Sequence, residues 1–308
     1  SKKIICLALS AVLFALSVSA QAQQAGKIPR IGYLSANSAF AVAGRTAVFR
    51  QGLLELGYAE GKNIVIEFRY ADQNVDRLPA LAAELARLKV DVIVTGGPSA
   101  TRAAKDATHT IPIVMTQDSD PVANGFIASL AGPGGNITGL STLAPEITGK
   151  QLELLKETLP RLSNAALLGT ASQPGNAQVL KETELAAGAL KVKLHFLDAA
   201  SPKDINGAFR SAAKSRADAL IVLQSPIILS HRIEIVELAA KNHLAAMYPQ
   251  TDYMDAGGLM FYGPQINELY RRAATFVDKI LKGRTPADLP VEQPMKFEFI
   301  VNLKAAKQ

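Results

Sequence analysis

The sequence predicts an α/β fold made of two doubly wound parallel-sheet lobes. Strand-like and helix-like patterns alternate almost to the end of the 308 residues, which is typical of parallel sheets covered by helices on both faces. A Gly-Pro-Gly-Gly loop at 132–135 interrupts this alternation and favours two lobes over one eight-fold barrel. A weak internal repeat also favours two lobes. Residues 87–94 and 216–222 both run from the end of a predicted helix through an Asp into an apolar strand.

The first half of the chain is predicted to contain four strands and four helices. Residues 63–70 alternate apolar and polar side chains, as a strand with one buried face does. In the first helix Phe49 and Leu53 share one face, and Gly57 follows as a helix-ending residue. The predicted strands are 28–34, 63–70, 91–95 and 111–116, and the predicted helices are 42–56, 75–88, 99–108 and 120–130.

The second half repeats the same kind of alternation after the Gly-rich loop. Its strands are short apolar runs, and its helices carry apolar residues at helical spacing. The predicted strands are 136–140, 165–169, 192–197, 219–223 and 244–248, and the predicted helices are 148–159, 177–190, 204–215 and 227–242.

The N-terminal residues 1–22 have the pattern of a secretory signal peptide. Lys2 and Lys3 precede an apolar run at 4–18, and small residues end at Ala22, so cleavage is expected after Ala22 or Ala20. The alternative interpretation is a buried N-terminal helix. The only cysteine, Cys6, lies at the start of the apolar run, so a lipid anchor is not predicted and the mature chain has no disulfide. Export without disulfides favours a bacterial periplasm.

Composition excludes several classes of partner. The formal net charge is +6, of which two charges belong to Lys2 and Lys3, and no basic run exceeds Arg271-Arg272. We therefore expect no nucleic-acid partner. Outside the signal no stretch approaches the 18 apolar residues of a membrane-spanning helix, so the mature form is predicted to be soluble. We also expect it to be a monomer.

The sequence offers no recognisable catalytic machinery. It has no G-x-S-x-G elbow, no P-loop and no G-x-G-x-x-G after a strand. The histidines, which lack metal-ligand spacing, are His109, His195, His231 and His243. We therefore predict no enzyme activity, no cofactor and no metal.

The candidate binding residues are small and polar and follow the strands directly, where open parallel sheets bind ligands. Backbone N–H groups at 96–99 could hold a carboxylate at a helix start, and Asp118 or Asp120 could accept an ammonium group. Each residue also has an ordinary interpretation as a helix cap or turn, and Asp120 before Pro121 suits a cap. The candidate turns are residues 35–38, 96–99, 117–121, 170–176 and 224–226.

Several short sequence motifs, taken together, resemble those of one protein family. They include Asp-Val-Ile-Val at 91–94 with Gly-Pro-Ser-Ala at 97–100, Pro-Gly-Gly-Asn-Ile-Thr-Gly-Leu-Ser at 133–141, and Ala-Gly-Gly-Leu-Met at 256–260. The chain thereby resembles the ABC-transporter substrate-binding proteins, whose better-known members bind tryptophan, tyrosine or phenylalanine.

The resemblance implies a type I periplasmic-binding fold with a three-crossing hinge, near 136–142, 248–253 and 285–294. Lobe 1 would then comprise 27–141 and 252–284, and lobe 2 would comprise 142–251 and 285–308. Within the candidate turns the resemblance implies a set of ligand contacts, namely Ser35, Asn37, Gly97, Pro98, Ser99, Asp118, Asp120, Asn176, Gln224 and Ser225. It adds Asp252 at a crossing. An aromatic wall for the ligand would have to come from Tyr33, Phe40, Tyr253 or Tyr262.

The function that the resemblance implies is capture of a small solute, with an amino acid or similar small carboxylate favoured. The receptor would pass this solute to an inner-membrane ABC permease. Two alternatives stay open from the sequence. One is a sensory module for a receptor kinase or chemoreceptor, and the other is a periplasmic enzyme on the same scaffold.

Overall fold

The structure, a computed structural model, describes residues 27–307. The predicted signal at 1–22 lies outside these residues. The first sheet consists of parallel strands in the order β2-β1-β3-β4-β5. Its strands are β1 (Arg30–Ser35), β2 (Val65–Tyr70), β3 (Val92–Thr95), β4 (Ile113–Asp118) and β5 (Ile137–Ser141).

The second sheet has the order β11-β10-β9-β8-β6-β7 and is parallel except for its edge strand β11. Its strands are β6 (Asn164–Gly169), β7 (Lys193–Asp198), β8 (Ala219–Val222), β9 (Ala245–Tyr248), β10 (Met260–Pro264) and β11 (Phe297–Val301).

Helices cover both faces of each sheet. They are α1 (Ala43–Glu55), α2 (Leu78–Arg87), α3 (Pro98–Ala107), α4 (Ala144–Thr158), α5 (Asn176–Ala189), α6 (Pro202–Lys214), α7 (Pro226–Ser230), α8 (Arg232–Lys241), α9 (Asp252–Asp255) and α10 (Ile266–Leu281). We use "lobe 1" for the first sheet with α1–α3 and α10, and "lobe 2" for the second sheet with α4–α9. The predicted fold class, two doubly wound α/β lobes, is confirmed.

Apolar strands with two buried faces create two hydrophobic clusters in each lobe. In lobe 1, Tyr33 and Phe49 pack with Tyr270 on one face of the sheet, while Leu85 and Met115 lie in the cluster on the other face. Lobe 2 repeats this arrangement. Because each sheet is covered on both sides, its strand ends are the places where backbone and polar side chains become available to a ligand.

One expected boundary is wrong. Residues 252–284 were all expected in lobe 1, but β10 at 260–264 pairs with β9 and β11 in the second sheet. The strand pattern of β10 predicts a buried strand without indicating which sheet it joins. The chain therefore returns to lobe 1 between β10 and α10, at Gln265, and not near 248–253.

The structure also differs from the prediction at two helices. Residues 120–130 form successive turns, because the chain bends at Gly125, whose φ is +69°, and Phe126 N donates to Pro121 O. The single helix predicted at 227–242 is divided into α7 and α8 at His231, whose φ of −103° and ψ of 21° leave the helical region. No helix among residues 27–307 is long and apolar enough to cross a membrane.

Candidate ligand-binding site

A cavity lies between the lobes, at the carboxyl ends of both sheets. Lobe 1 contributes the turn from Gly96 to Ser99 after β3, and lobe 2 contributes the turns that precede α5 and α7. This is the position that parallel α/β sheets offer to ligands. Most of the predicted site residues line it, namely Asn37, Gly97, Pro98, Ser99, Asn176, Gln224 and Ser225.

The turn at 97–99 is built so that a helix begins at the cavity. Gly97 has a φ of +135°, which a residue with a side chain rarely adopts, and Pro98 occupies the first position of α3. Thr101 N and Thr101 Oγ1 both donate to Gly97 O, at 3.0 Å and 3.1 Å. The N-terminal N–H groups of α3 are thereby directed to the side from which an anion would approach.

The remaining predicted residues lie outside the cavity lining. Ser35 is fully buried and its Oγ accepts from Asn37 N at 3.1 Å. Asp120 caps the turn that follows it, because its Oδ1 accepts from Ala123 N at 3.0 Å. Asp252 belongs to α9 and forms an ion pair with a lobe 1 residue described below.

Asp118 is fully buried, and its Oδ1 accepts from Asn124 Nδ2 at 2.8 Å and from Asp120 N at 3.2 Å. Burial raises the pKa of Asp118 to about 7, although these two hydrogen bonds act in the opposite direction. Neither Asp118 nor Asp120 lines the cavity, so the structure does not bring the expected carboxylates to a ligand's ammonium group.

Of the aromatic residues proposed for a ligand wall, Tyr253 alone lines the cavity in the described part of the chain. Tyr33 lies in the lobe 1 core, Phe40 is 86% exposed, and Tyr262 stacks on Phe297 with ring centroids 6.1 Å apart.

Sequence reasoning missed the one charged side chain in the cavity lining of residues 27–307, Arg45. Arg45 is buried in α1, and its Nη2 donates to Gln250 Oε1 and to Asp252 Oδ2, both at 2.8 Å. Burial lowers the pKa of the Arg45 guanidinium, but the carboxylate of Asp252 raises it and the net shift is upward. Arg45 therefore stays cationic, and the ion pair with Asp252 joins lobe 1 to lobe 2.

Three buried polar atoms of lobe 1 cavity residues have no hydrogen-bond partner within residues 27–307. They are Arg45 Nη1, Asn37 Oδ1 and Gln117 Oε1. Buried polar atoms are ordinarily paired, and an unpaired one costs about 1–3 kcal/mol. A donor and two acceptors of this kind in one cavity suit a ligand that carries both an anionic and a donating group. Gln117 lies in β4, at the start of the candidate turn 117–121, but it was not chosen as a site residue.

The two lobes are in contact across the cavity. Ser99 Oγ donates to Gln173 Oε1 at 2.9 Å, and Ser119 Oγ donates to Pro174 O at 3.4 Å. Gly175 has a φ of +87°, and a Cβ added to it would lie 1.9 Å from Ser119 Oγ. The lobes thus approach each other at a point that tolerates no larger side chain.

The cavity lining contains no cluster of groups suited to catalysis. No histidine lines it in the described chain, and residues 27–307 hold no group of three His, Cys, Asp or Glu side chains that could bind a metal ion. The arrangement can bind a small molecule by hydrogen bonds and enclose it between two lobes.

The two lobes and the cleft between them define the fold class, the type I periplasmic-binding fold, and solved structures similar to this chain share that fold. A family model described as ABC transporter substrate binding protein matches residues 41–308, and the chain belongs to this family.

Individual relatives agree with this assignment. A tyrosine-binding protein of Clostridioides difficile is 26% identical over 254 residues, which are 82% of this chain and 73% of that protein. A solved conserved domain protein from Vibrio cholerae is 26% identical with a TM-score of 0.87, over 92% of this chain and 94% of that one.

Two further solved structures are similar to this chain to different degrees. A domain from Streptococcus pneumoniae in complex with L-Trp gives a TM-score of 0.83 at 22% identity, over 91% of this chain and 94% of that one. A ligand-free, open substrate-binding protein from Clostridium difficile gives 0.67 at 25% identity, over the same shares. The present structure therefore matches the ligand-bound protein better than the open one.

Proposed function

We propose that this chain is the solute-binding component of an ABC import system and delivers an amino acid, or a similar small carboxylate, to an inner-membrane permease. In this function the open lobes admit the solute and their closure buries it. The site of action is the periplasm, a proposal based on the signal-like pattern at residues 1–22.

The observation that carries the proposal is the set of unpartnered atoms in the cavity. Arg45 Nη1 can donate to a ligand carboxylate, and Asn37 Oδ1 and Gln117 Oε1 can accept from a ligand ammonium group. The Arg45–Asp252 pair is neutral as a unit. A zwitterionic ligand is also neutral overall, so its enclosure adds no uncompensated buried charge. The name of the tyrosine-binding relative supports the same chemical class.

Closure is coupled to binding because both lobes contribute to the same cavity. A ligand shifts an equilibrium between open and closed states only through contacts that it makes in one state and not in the other. Contacts to Arg45 and Ser99 on lobe 1 and to Asn176 and Ser225 on lobe 2 are possible together only when the lobes are closed. A permease could then distinguish the loaded protein by its closed shape.

The first experiment tests carboxylate recognition by Arg45→Lys, which keeps the positive charge but removes the forked donor. Calorimetry with an amino acid that binds the unaltered protein should show at least about tenfold weaker binding, equivalent to about 1.4 kcal/mol. The matched control is Arg50→Lys, on the same helix but paired with Glu60 outside the cavity. The melting temperature of each ligand-free variant separates lost binding from lost folding, and an unchanged affinity of Arg45→Lys contradicts the proposal.

A second experiment separates import from sensing. Cells that lack this protein are complemented with the unaltered chain or with Arg45→Lys, and uptake of the labelled amino acid is measured. An import component restores uptake only in the unaltered form. Uptake that is the same in all strains, despite binding in vitro, rejects import.

A further inference from the structure

The two walls of the cavity differ in their chemistry. The three buried polar atoms of the cavity lining that have no partner within residues 27–307 all belong to lobe 1. Each buried polar side chain that lobe 2 brings to the cavity has at least one hydrogen bond inside the described chain. Their hydrogen bonds are Gln151 Nε2 to Tyr262 O, Thr148 Oγ1 to Ala144 O, Asn176 Nδ2 to Thr170 O, Ser225 Oγ with Thr170 Oγ1, and Gln250 Oε1 from Arg45. Lobe 1 therefore suits the polar end of a ligand, which leaves the lobe 2 side of the cavity for an apolar end.

The apolar surface that lobe 2 presents is aliphatic. It is formed by Ile147, Val179, Val222, Leu223 and Leu229, of which Ile147 is half-buried and the others are buried. These side chains come from α4, α5, α7 and the end of β8, so they surround one end of the cavity instead of forming a single flat face.

The wall offers little to an aromatic ring. Tyr253, the one aromatic side chain lining the cavity among residues 27–307, is 1% exposed. One face of its ring is covered by Tyr248, with ring centroids 4.9 Å apart and planes inclined by 14°. Stacking between two aromatic side chains favours an aromatic amino acid. The cavity lining of residues 27–307 provides one aromatic side chain, Tyr253, and no second one.

The small volume of the cavity also favours a ligand with a short side chain. Its volume is about 60 Å³, whereas an apolar cavity that admits a benzene ring measures roughly 150 Å³. Every added ligand atom must separate the lobes further and strain contacts such as the hydrogen bond from Ser99 to Gln173. A short side chain demands the smallest separation.

We propose that the ligand is an α-amino acid with a short aliphatic side chain, between alanine and leucine in size, held with its polar end on lobe 1 and its side chain against the aliphatic wall of lobe 2. This inference rests on the proposed function, because it assumes that the cavity binds an amino acid. It separates this chain from the relatives whose names state tyrosine or tryptophan.

The test is calorimetry of the whole protein, unfolded and refolded to remove any ligand that co-purifies, against single amino acids. The panel is L-alanine, L-valine, L-leucine, L-phenylalanine, L-tyrosine and L-tryptophan. At least one aliphatic member should bind tenfold or more tightly than every aromatic member. Equal or tighter binding of an aromatic member overturns this inference and leaves the proposed function standing. No binding of any panel member overturns this inference, and no binding of any amino acid or small carboxylate overturns the proposed function as well.

A variant tests where the side chain lies. Ile147→Ser makes the wall polar at its most accessible position and should weaken binding of the preferred aliphatic amino acid at least fivefold. Val179→Thr, which changes shape little, should act in the same direction and serves if Ile147→Ser fails to fold. The matched control is Ile233→Ser on α8 of the same lobe, where the side chain is 57% exposed and away from the cavity. Unchanged affinity in both wall variants overturns the inference.

Discussion

Ser99 Oγ donates a hydrogen bond of 2.9 Å to Gln173 Oε1, and the two residues belong to opposite lobes. Each single substitution, Ser99→Ala or Gln173→Ala, should weaken ligand binding by about 0.5–1.5 kcal/mol, the usual net contribution of one hydrogen bond. Calorimetry on the two single variants and the double variant measures the coupling. If the bond holds the lobes together, the double variant loses less affinity than the sum of the two single losses. Additive losses contradict a role for this bond in closure.

The contact of Ser119 with the turn at 174–175 makes Gly175→Ala a test of closure. An added Cβ would lie 1.9 Å from Ser119 Oγ and 2.9 Å from Ser119 Cβ, so the variant should stay open and bind ligand at least about tenfold more weakly, equivalent to about 1.4 kcal/mol. Small-angle scattering with and without ligand measures the change in shape.

Two controls accompany this variant. Gly188→Ala lies in α5 of the same lobe and would meet no atom within 4 Å, so closure should be retained. Adding Ser119→Gly to Gly175→Ala should restore part of the affinity. Normal closure of Gly175→Ala, or no recovery in the double variant, would mean that this contact does not limit lobe approach.

Much of the fold and part of the site follow from local sequence patterns. The turn residues Gly97, Pro98 and Ser99 could be predicted, because Gly-Pro before a helix defines both the turn and the helix start. The lobe assignment of β10 could not be predicted, because a buried apolar strand shows the same pattern in either sheet.

The charged part of the site could not be predicted for a related reason. Arg45 looks like a surface residue of a helix, and its role depends on meeting Gln250 and Asp252, which are about two hundred residues away in sequence. Asp118 follows the predicted strand 111–116 but is the last residue of the observed β4, and the register between β4 and β5 shifts between Met115 and Asp118. Its carboxylate is directed to Asn124 instead of the cavity.

The buried carboxyl of Asp118 should make stability depend on pH. Burial raises the pKa of Asp118 to about 7 from the ordinary value of 3.8, so the folded protein holds a proton that the unfolded chain has released between about pH 4 and about pH 7. The free energy of unfolding should therefore fall as pH rises through this window, by up to about 1.4 kcal/mol per pH unit from this group.

Asp118→Asn tests this dependence, because the amide oxygen can still accept from Asn124 Nδ2 and from Asp120 N. Urea unfolding of the variant across the same pH window should show a smaller slope than the unaltered protein. Asp106→Asn, which removes one exposed carboxylate from α3, controls for the change in net charge. A slope that Asp118→Asn leaves unchanged would assign the pH dependence to other groups.

Gly139 in β5, just before the chain first crosses between the lobes, is expected to be the glycine least tolerant of substitution. Its φ is +129°, and an added Cβ would lie 2.2 Å from Met115 O and 2.6 Å from Met115 N on the paired strand β4. Because those atoms are backbone, Gly139→Ala must move one strand, and it should lower the free energy of unfolding by more than about 3 kcal/mol. Gly135→Ala, in the preceding loop, would meet no atom within 4 Å and should cost less than about 1 kcal/mol. Urea unfolding of both variants measures the difference, and a similar small effect in both would mean that β5 can shift along β4 without breaking the sheet.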